Sequence, residues 1–129
     1  MASKNKKQKK ESSEDESSSE EQEPENVSFK CLLLGNTAVG KTCMITRYCD
    51  DSFTKNYKRT VGVDFFQKRL EFEDDINVSL QLWDITGDAM TGKMLETYVH
   101  DAQAIVYVYD ITNKESFESM EYWIREVSL

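Results

Sequence analysis

The sequence predicts an α/β fold: a doubly wound, mostly parallel sheet with one antiparallel edge strand. Three observations carry this. An apolar run ends in a glycine-bounded loop that opens a helix, two strand-like segments follow on either side of a short acidic break, and a second apolar run precedes an amphipathic helical pattern. The resulting order, β-α-β-β-α-β-α, allows one hairpin and otherwise requires right-handed crossovers between parallel strands.

The first strand spans Val27 to Leu34, which alternates and then turns continuously apolar, as a strand buried on both faces does. After the loop, Met44, Ile45, Tyr48 and Cys49 fall at helical spacing, and Asp50, Asp51 and Ser52 supply a polar stop. Residues 61–72 and 76–83 read as two strands with Asp74 and Asp75 at the turn between them. A helix is expected from about Thr91 to Val99, then a central strand over Ala104–Tyr109. Phe117, Met120, Trp123, Ile124 and Val127 trace the buried face of a last helix, capped by Thr112 or Asn113.

Residues 1–26 contain almost nothing apolar. Lys4, Lys6, Lys7, Lys9 and Lys10 run into an acidic, serine-rich stretch from Glu11 to Glu25, a composition that cannot offset ordering entropy by burial. A disordered tail is expected there, followed by one domain over 27–129. The lysines could form a nuclear-localisation or membrane-surface patch, but the acidic block beside them cancels their field within ~8–10 Å. Ser12, Ser13, Ser17 and Ser18 each have an acid three residues later, a pattern that suits acid-directed kinases. The net charge of −8 argues against a nucleic-acid binder, which needs a basic face. Cys31, Cys43 and Cys49 have neither metal-ligand spacing nor an even count for a disulfide framework, and no apolar run is long enough to span a bilayer. A reducing, cytoplasmic location is expected.

The residues with the strongest chemical signal are Gly35, Asn36, Thr37, Ala38, Val39, Gly40, Lys41 and Thr42, which match the phosphate-loop pattern in full, after a buried strand and opening a helix. In that pattern the glycines let backbone amides turn towards phosphate oxygens and the helix N-terminus adds its dipole. Lys41 neutralises the β- and γ-phosphates, and the Thr42 hydroxyl can ligate Mg²⁺. The structural alternative is a glycine-containing loop that merely caps a helix. Asp84 ends the third strand, where a carboxylate can hold the metal through its water, and Gly87 would offer its N–H to the terminal phosphate. An acid at a strand end is by itself more often a turn residue; the upstream loop reverses that reading. Thr60, in the polar segment between the two motifs, is placed to be a second hydroxyl ligand of the metal.

These motifs, together with Val61 to Phe65, Tyr107 to Thr112, Ser116 and Phe117, resemble the Rab family of Ras-like small GTPases, and Gly92 to Leu95 resembles one divergent branch of it. The resemblance covers about residues 27–129 and implies the P-loop GTPase fold. It implies GTP or GDP bound with Mg²⁺, slow GTP hydrolysis, and a role as a membrane-trafficking switch. In that reading Lys41, Thr60, Gly87 and Asp88 are the catalytic candidates, and Thr42, Thr60 and Asp84 hold the metal. The nucleotide is held by residues 35–42, the adjoining Cys43, Thr60, Asp84 and Gly87. Phe53 is placed where the family packs an aromatic ring on guanine, with simple core packing as its alternative. Effectors and regulators would engage residues 57–66 and 83–98.

The sequence also departs from the pattern. Asp88 stands where the family usually carries the Gln that orients the attacking water, and Thr37 and Thr86 add bulk beside the terminal phosphate. The chain reaches Leu129 with no Asn-Lys-x-Asp motif after its fourth strand and no C-terminal prenylation cysteine, so it reads as a C-terminally incomplete domain without a prenyl anchor. Ala104–Tyr109 is then expected at a sheet edge, with Cys31 and Leu33 exposed. Two further functions remain open. A non-enzymatic interaction fragment would keep the partner-facing residues and bind nucleotide weakly. A phosphate-loop kinase or ATPase would share the loop but fits the hairpin and the segment from Trp83 to Gly87 poorly.

Overall fold

The computed structural model describes residues 23–72, 76–88 and 92–128. Its elements are β1 (Glu25–Leu34), α1 (Lys41–Asp50), β2 (Val63–Phe72), β3 (Ile76–Ile85), α2 (Lys93–Val99), β4 (Ala104–Tyr107), α3 (Lys114–Glu118) and α4 (Met120–Val127). The strands lie in the order β2-β3-β1-β4. β1 pairs in parallel with both β3 and β4, and β2 pairs antiparallel with β3. The expected α/β architecture with one antiparallel pair is therefore present.

The continuous apolar end of β1 explains the layering, because alternate residues of a strand face opposite sides. Leu32 and Leu34 join Ile85, Leu95 and Trp123 on one side of the sheet, under α2 and α4. Cys31 and Leu33 join Ile45, Leu82 and Val108 on the other, under α1. The expected exposure of Cys31 and Leu33 is thus wrong: both are buried, since Ile45 and Val108 cover them. Exposure falls on the outer face of α1 instead, where Met44 and Tyr48 are about half exposed. β4 lies at the end of the strand order, as expected, with Ile105 and Tyr107 packed on the Leu32 cluster.

Several boundaries differ from the sequence reading. β1 begins at Glu25, taking in two residues assigned to the tail, because their backbones pair with Ile76 and Asn77 although their side chains stay exposed. β3 runs on to Ile85, since Asp64 and Val63 of β2 pair with Asp84 and Ile85; Asp84 therefore sits inside the strand. β2 opens at Val63, after Gly62 takes a left-handed φ of 79°. β4 stops at Tyr107, although the Val108 amide still donates to the Leu34 carbonyl at 2.8 Å.

The last helix is two segments meeting at Ser119. Asn113 is the cap, its side chain accepting from the Glu115 amide at 3.1 Å. Of the expected buried face, Trp123, Met120 and Val127 pack on the core, whereas Phe117 and Ile124 are about half exposed. The tail to residue 22, the turn at Asp74 and Asp75, and the helix start at Thr91 lie outside the described residues.

Leu32 is fully buried between layers. Leu32→Ala is expected to lower the unfolding free energy in urea by about 3 kcal/mol, the usual scale for a leucine cavity. Met44→Ala, on an open helix face, is expected to change it by less than about 1 kcal/mol.

Candidate functional site

Because β1 and β3 run parallel, with Leu33 opposite Asp84, the loops leaving both strands emerge at the same end of the sheet. Ligands of open α/β sheets bind in such crevices, outside the carboxyl ends of the strands. Residues 35–40 cross that crevice to α1. Ala38 and Gly40 both take left-handed conformations, with φ of 61° and 100°, which break up the backbone direction as an anion-binding loop requires. Gly40 caps α1 without a side-chain hydrogen bond, so no side-chain acceptor occupies the first-turn amides. Val39 packs against the Cys31 cluster and anchors the loop from below.

Lys41 is buried, and its Nζ donates to the carbonyls of Gly35 at 3.0 Å and Asn36 at 2.8 Å. Burial pulls its pKa down, while the carboxylates of Asp84 and Asp88 act to raise it. The ammonium is thereby fixed beneath the loop rather than extended into solvent. Opposite it, Asp84 is 0% exposed. The Thr42 hydroxyl donates to Asp84 Oδ2, and the Thr60 hydroxyl lies 2.8 Å from that of Thr42 and 3.4 Å from the same carboxylate oxygen. Asp84 Oδ1 is buried and has no hydrogen-bond partner among the described residues. Burial raises the Asp84 pKa, opposed by the Thr42 hydrogen bond and the Lys41 charge. Two hydroxyls and a carboxylate with an unused oxygen form a hard-oxygen donor set, which fits Mg²⁺.

Gly87 closes the other wall. A Cβ there would lie 2.3 Å from the Thr37 nitrogen, 2.5 Å from the Asn36 carbonyl carbon and 2.7 Å from the Gly35 oxygen, all backbone atoms that cannot swing aside. The Thr86 amide donates to the Gly62 carbonyl at 3.0 Å, tying this wall to the segment that carries Thr60. At the mouth, Asp88 accepts from the Thr37 hydroxyl and from the Arg59 guanidinium. Those two partners hold its pKa below the usual carboxylate value, the Thr37 bond most strongly.

The cleft brings together most of the residues singled out from sequence: Thr37, Ala38, Gly40, Lys41, Thr42, Cys43, Thr60 and Gly87 all line it, with Asp84 beneath. Thr86 lines it as well. Asn36 contributes its carbonyl to Lys41, but its side chain turns away, accepting from Trp123 Nε1 and donating to Ser119 Oγ, both at 2.9 Å. Phe53 is 62% exposed and is not part of the lining, so the core alternative for this ring fails. Sequence reasoning gave no place in the nucleotide site to Thr46, Thr54, Asn56, Tyr57, Lys58 or Arg59, the last three having been assigned to partner contacts. The first five line the cleft and Arg59 pairs with Asp88. Only their proximity in sequence to Thr42 and Thr60 hinted at this. Among the described residues no cluster of three or more His, Cys, Asp or Glu side chains could hold a metal, and no helix is long and apolar enough to cross a membrane.

The sequence model of the Ras family matches residues 30–129. The chain belongs to the Ras family. Within it, this chain is Rab-like. It is 46% identical over 99 residues to the Ras-related protein Rab-7L1 of Rattus norvegicus, covering 77% of this chain and 48% of that one. It is 43% identical over 99 residues to Rab-3 of Caenorhabditis elegans, covering 77% and 45%. It is 40% identical over 99 residues to the GTP-binding protein YPT1 of Saccharomyces cerevisiae, covering 77% and 48%. This Ras-family chain thus spans about half the length of the curated relatives it matches.

Two outcomes follow from the walls of the cleft. Gly87→Ala is expected to destabilise the protein by about 1–3 kcal/mol, because the phosphate loop must move to admit one methyl group; denaturant titration reads this directly. Asp84 has a native pKa above its unfolded value, so its ionised form opposes folding. Free of nucleotide and metal, the chain should therefore lose stability as pH rises from about 4, the ordinary carboxylate value, through the raised native one. Thermal melts across that range should show a gentler decline for Asp84→Asn; identical slopes would contradict the burial argument.

Proposed function

We propose that the cleft binds GTP and GDP with Mg²⁺, that the chain hydrolyses GTP slowly, and that it serves as a membrane-trafficking switch. The observation that supports this best is convergence: Lys41, Thr42, Thr60, Asp84 and Gly87, drawn from three separate segments, meet at one end of the sheet. Lys41 and the loop amides neutralise the β- and γ-phosphates, and the Gly87 amide binds the terminal one. Thr42, Thr60 and Asp84 hold the metal, which when bound supplies further positive charge against the phosphate oxygens. Selection of guanine over adenine rests on family membership.

In hydrolysis a water oxygen adds to the γ-phosphorus while the bond to the β–γ bridging oxygen breaks. Asp88, an ionised carboxylate, accepts hydrogen bonds but cannot donate one to orient that water as an amide would. Slow turnover follows. Nucleotide exchange would be sensed at residues 57–66 and 83–98, which carry Thr60 and Gly87 as well as apolar side chains. There the half-exposed Phe65 meets Trp83 edge to face at 5.1 Å between centroids, and Trp83 leans on Tyr98 at 6.0 Å. Such a surface suits effectors and regulators. A cytoplasmic location with peripheral membrane association is carried over from the family alone. A second reading, a protein-binding unit with weak nucleotide affinity, is favoured by the exposure of the apolar side chains Val61 and Phe65.

Titration of the purified chain with fluorescent GTP, GDP and ATP in Mg²⁺ separates these readings. The switch requires tight, guanine-selective binding that Lys41→Met weakens at least about a hundredfold, roughly the loss of one buried charged hydrogen-bond donor. Equal affinity for ATP would point to another phosphate-loop activity, and no affinity to the protein-binding unit. In single-turnover hydrolysis Asp88→Gln is expected to be faster than wild type; a faster wild type would reject the role given to Asp88.

A further inference from the structure

Asp88 does more than fail to orient a water. Its two carboxylate oxygens are both occupied, Oδ1 by the Thr37 hydroxyl and Oδ2 by the Arg59 guanidinium. Thr37 belongs to the phosphate loop, Arg59 immediately precedes Thr60, and Asp88 immediately follows Gly87. Three segments of the cleft are therefore joined at its mouth through one anion. Lys41 acts on the same carboxylate through its charge. A hydroxyl and a guanidinium held on an anion, with an ammonium nearby, are the ligands that a phosphate group takes. Here the anion is the chain's own.

We propose that Asp88 is a resident anion which occupies the terminal-phosphate ligands Thr37 and Arg59, so that the cleft favours a nucleoside diphosphate over a triphosphate. The inference rests on the nucleotide-binding reading above. A diphosphate leaves the Asp88 contacts intact. A triphosphate brings negative charge towards the same two groups and must displace the carboxylate, after which Arg59 and Thr37 are available to the terminal phosphate. Asp88 is thus a specificity-determining residue, and Arg59 is a latent phosphate ligand. Side-chain exposures of 36% for Asp88 and 63% for Arg59 mean that the pair adds little to folding, so its removal can be read in binding.

The test measures dissociation constants for GDP and a non-hydrolysable GTP analogue, both in Mg²⁺, on the purified chain and on Asp88→Asn. The wild type is expected to prefer GDP. Asp88→Asn should tighten the analogue at least tenfold while GDP changes by less than twofold. Adding Arg59→Ala to Asp88→Asn should weaken the analogue again without affecting GDP. Asp88→Ser provides a second uncharged variant should the asparagine fold poorly, and thermal melts report folding of each. If Asp88→Asn and Asp88→Ser leave the ratio of the two affinities unchanged while GDP still binds, the resident-anion proposal is overturned and the nucleotide reading stands. If GDP binds to none of the folded proteins, the nucleotide reading itself falls, and this proposal with it.

Discussion

Two charges held away from water, the Lys41 ammonium and the Asp84 carboxylate, set the terms for everything around them. Taking an ion into a protein interior costs on the order of several kcal/mol, a large share of the ~5–15 kcal/mol that holds a domain folded. The chain offsets this only in part. Lys41 has two carbonyls and Asp84 has two hydroxyls, yet one carboxylate oxygen has no partner among the described residues. An anionic ligand above Lys41 and a hard cation beside Asp84 would each complete what the protein leaves unfinished. Such a site stores its binding energy as incomplete solvation, and ligand bound to the native state alone returns it as stability, about 2.7 kcal/mol at a hundredfold excess over Kd.

That arrangement depends on backbone pairing rather than on side-chain fit. The β1–β3 register fixes Asp84 against Leu33, and the antiparallel pairing of Val63 with Ile85 carries β3 one residue beyond it. The chain then turns so tightly against the phosphate loop that Gly87 has no room for a Cβ. Thr60 reaches the same place by a separate constraint, the hydrogen bond from Thr86 to Gly62 just after it. Movement of any one segment must disturb the others, which is the coupling that a nucleotide-sensing surface at residues 57–66 and 83–98 would exploit.

Much of this was legible in the sequence because it depends on local pattern. The strand–loop–helix context of Gly35 to Thr42 and the acid at the end of an alternating strand need no knowledge of distant contacts. The order of elements followed from hydrophobic period alone. What could not be read depended on long-range neighbours. Glu25 and Asn26 pair in the sheet although nothing in their side chains is apolar, so period counting places them in a tail. Cys31 and Leu33 were expected to lose their cover, but Ile45 and Val108 supply it from segments that sequence spacing does not relate to them. Phe117 and Ile124 fit a helical stripe, yet the break at Ser119 changes which side chains reach the core. Arg59 carried no signal of its own, because its meaning comes from Asp88, 29 residues away in the chain.

The phosphate loop illustrates why a short motif needs a whole domain. Residues 35–40 hold a conformation with three positive-φ positions, Gly35, Ala38 and Gly40, which an isolated peptide would not keep. The fold fixes it from both sides of the sheet. Val39 inserts into the cluster of Cys31, Leu33 and Ile45, while the Asn36 side chain accepts from Trp123 of the opposite cluster and donates to Ser119 at the junction of α3 and α4. Trp123 is nearly fully buried, so its indole N–H has Asn36 as its partner in place of water, and breaking that bond would strand a donor in an apolar layer. The loop is thereby anchored to both cores at once. Its carbonyls then hold Lys41 in place, and the position of the ammonium follows from the packing of the two layers.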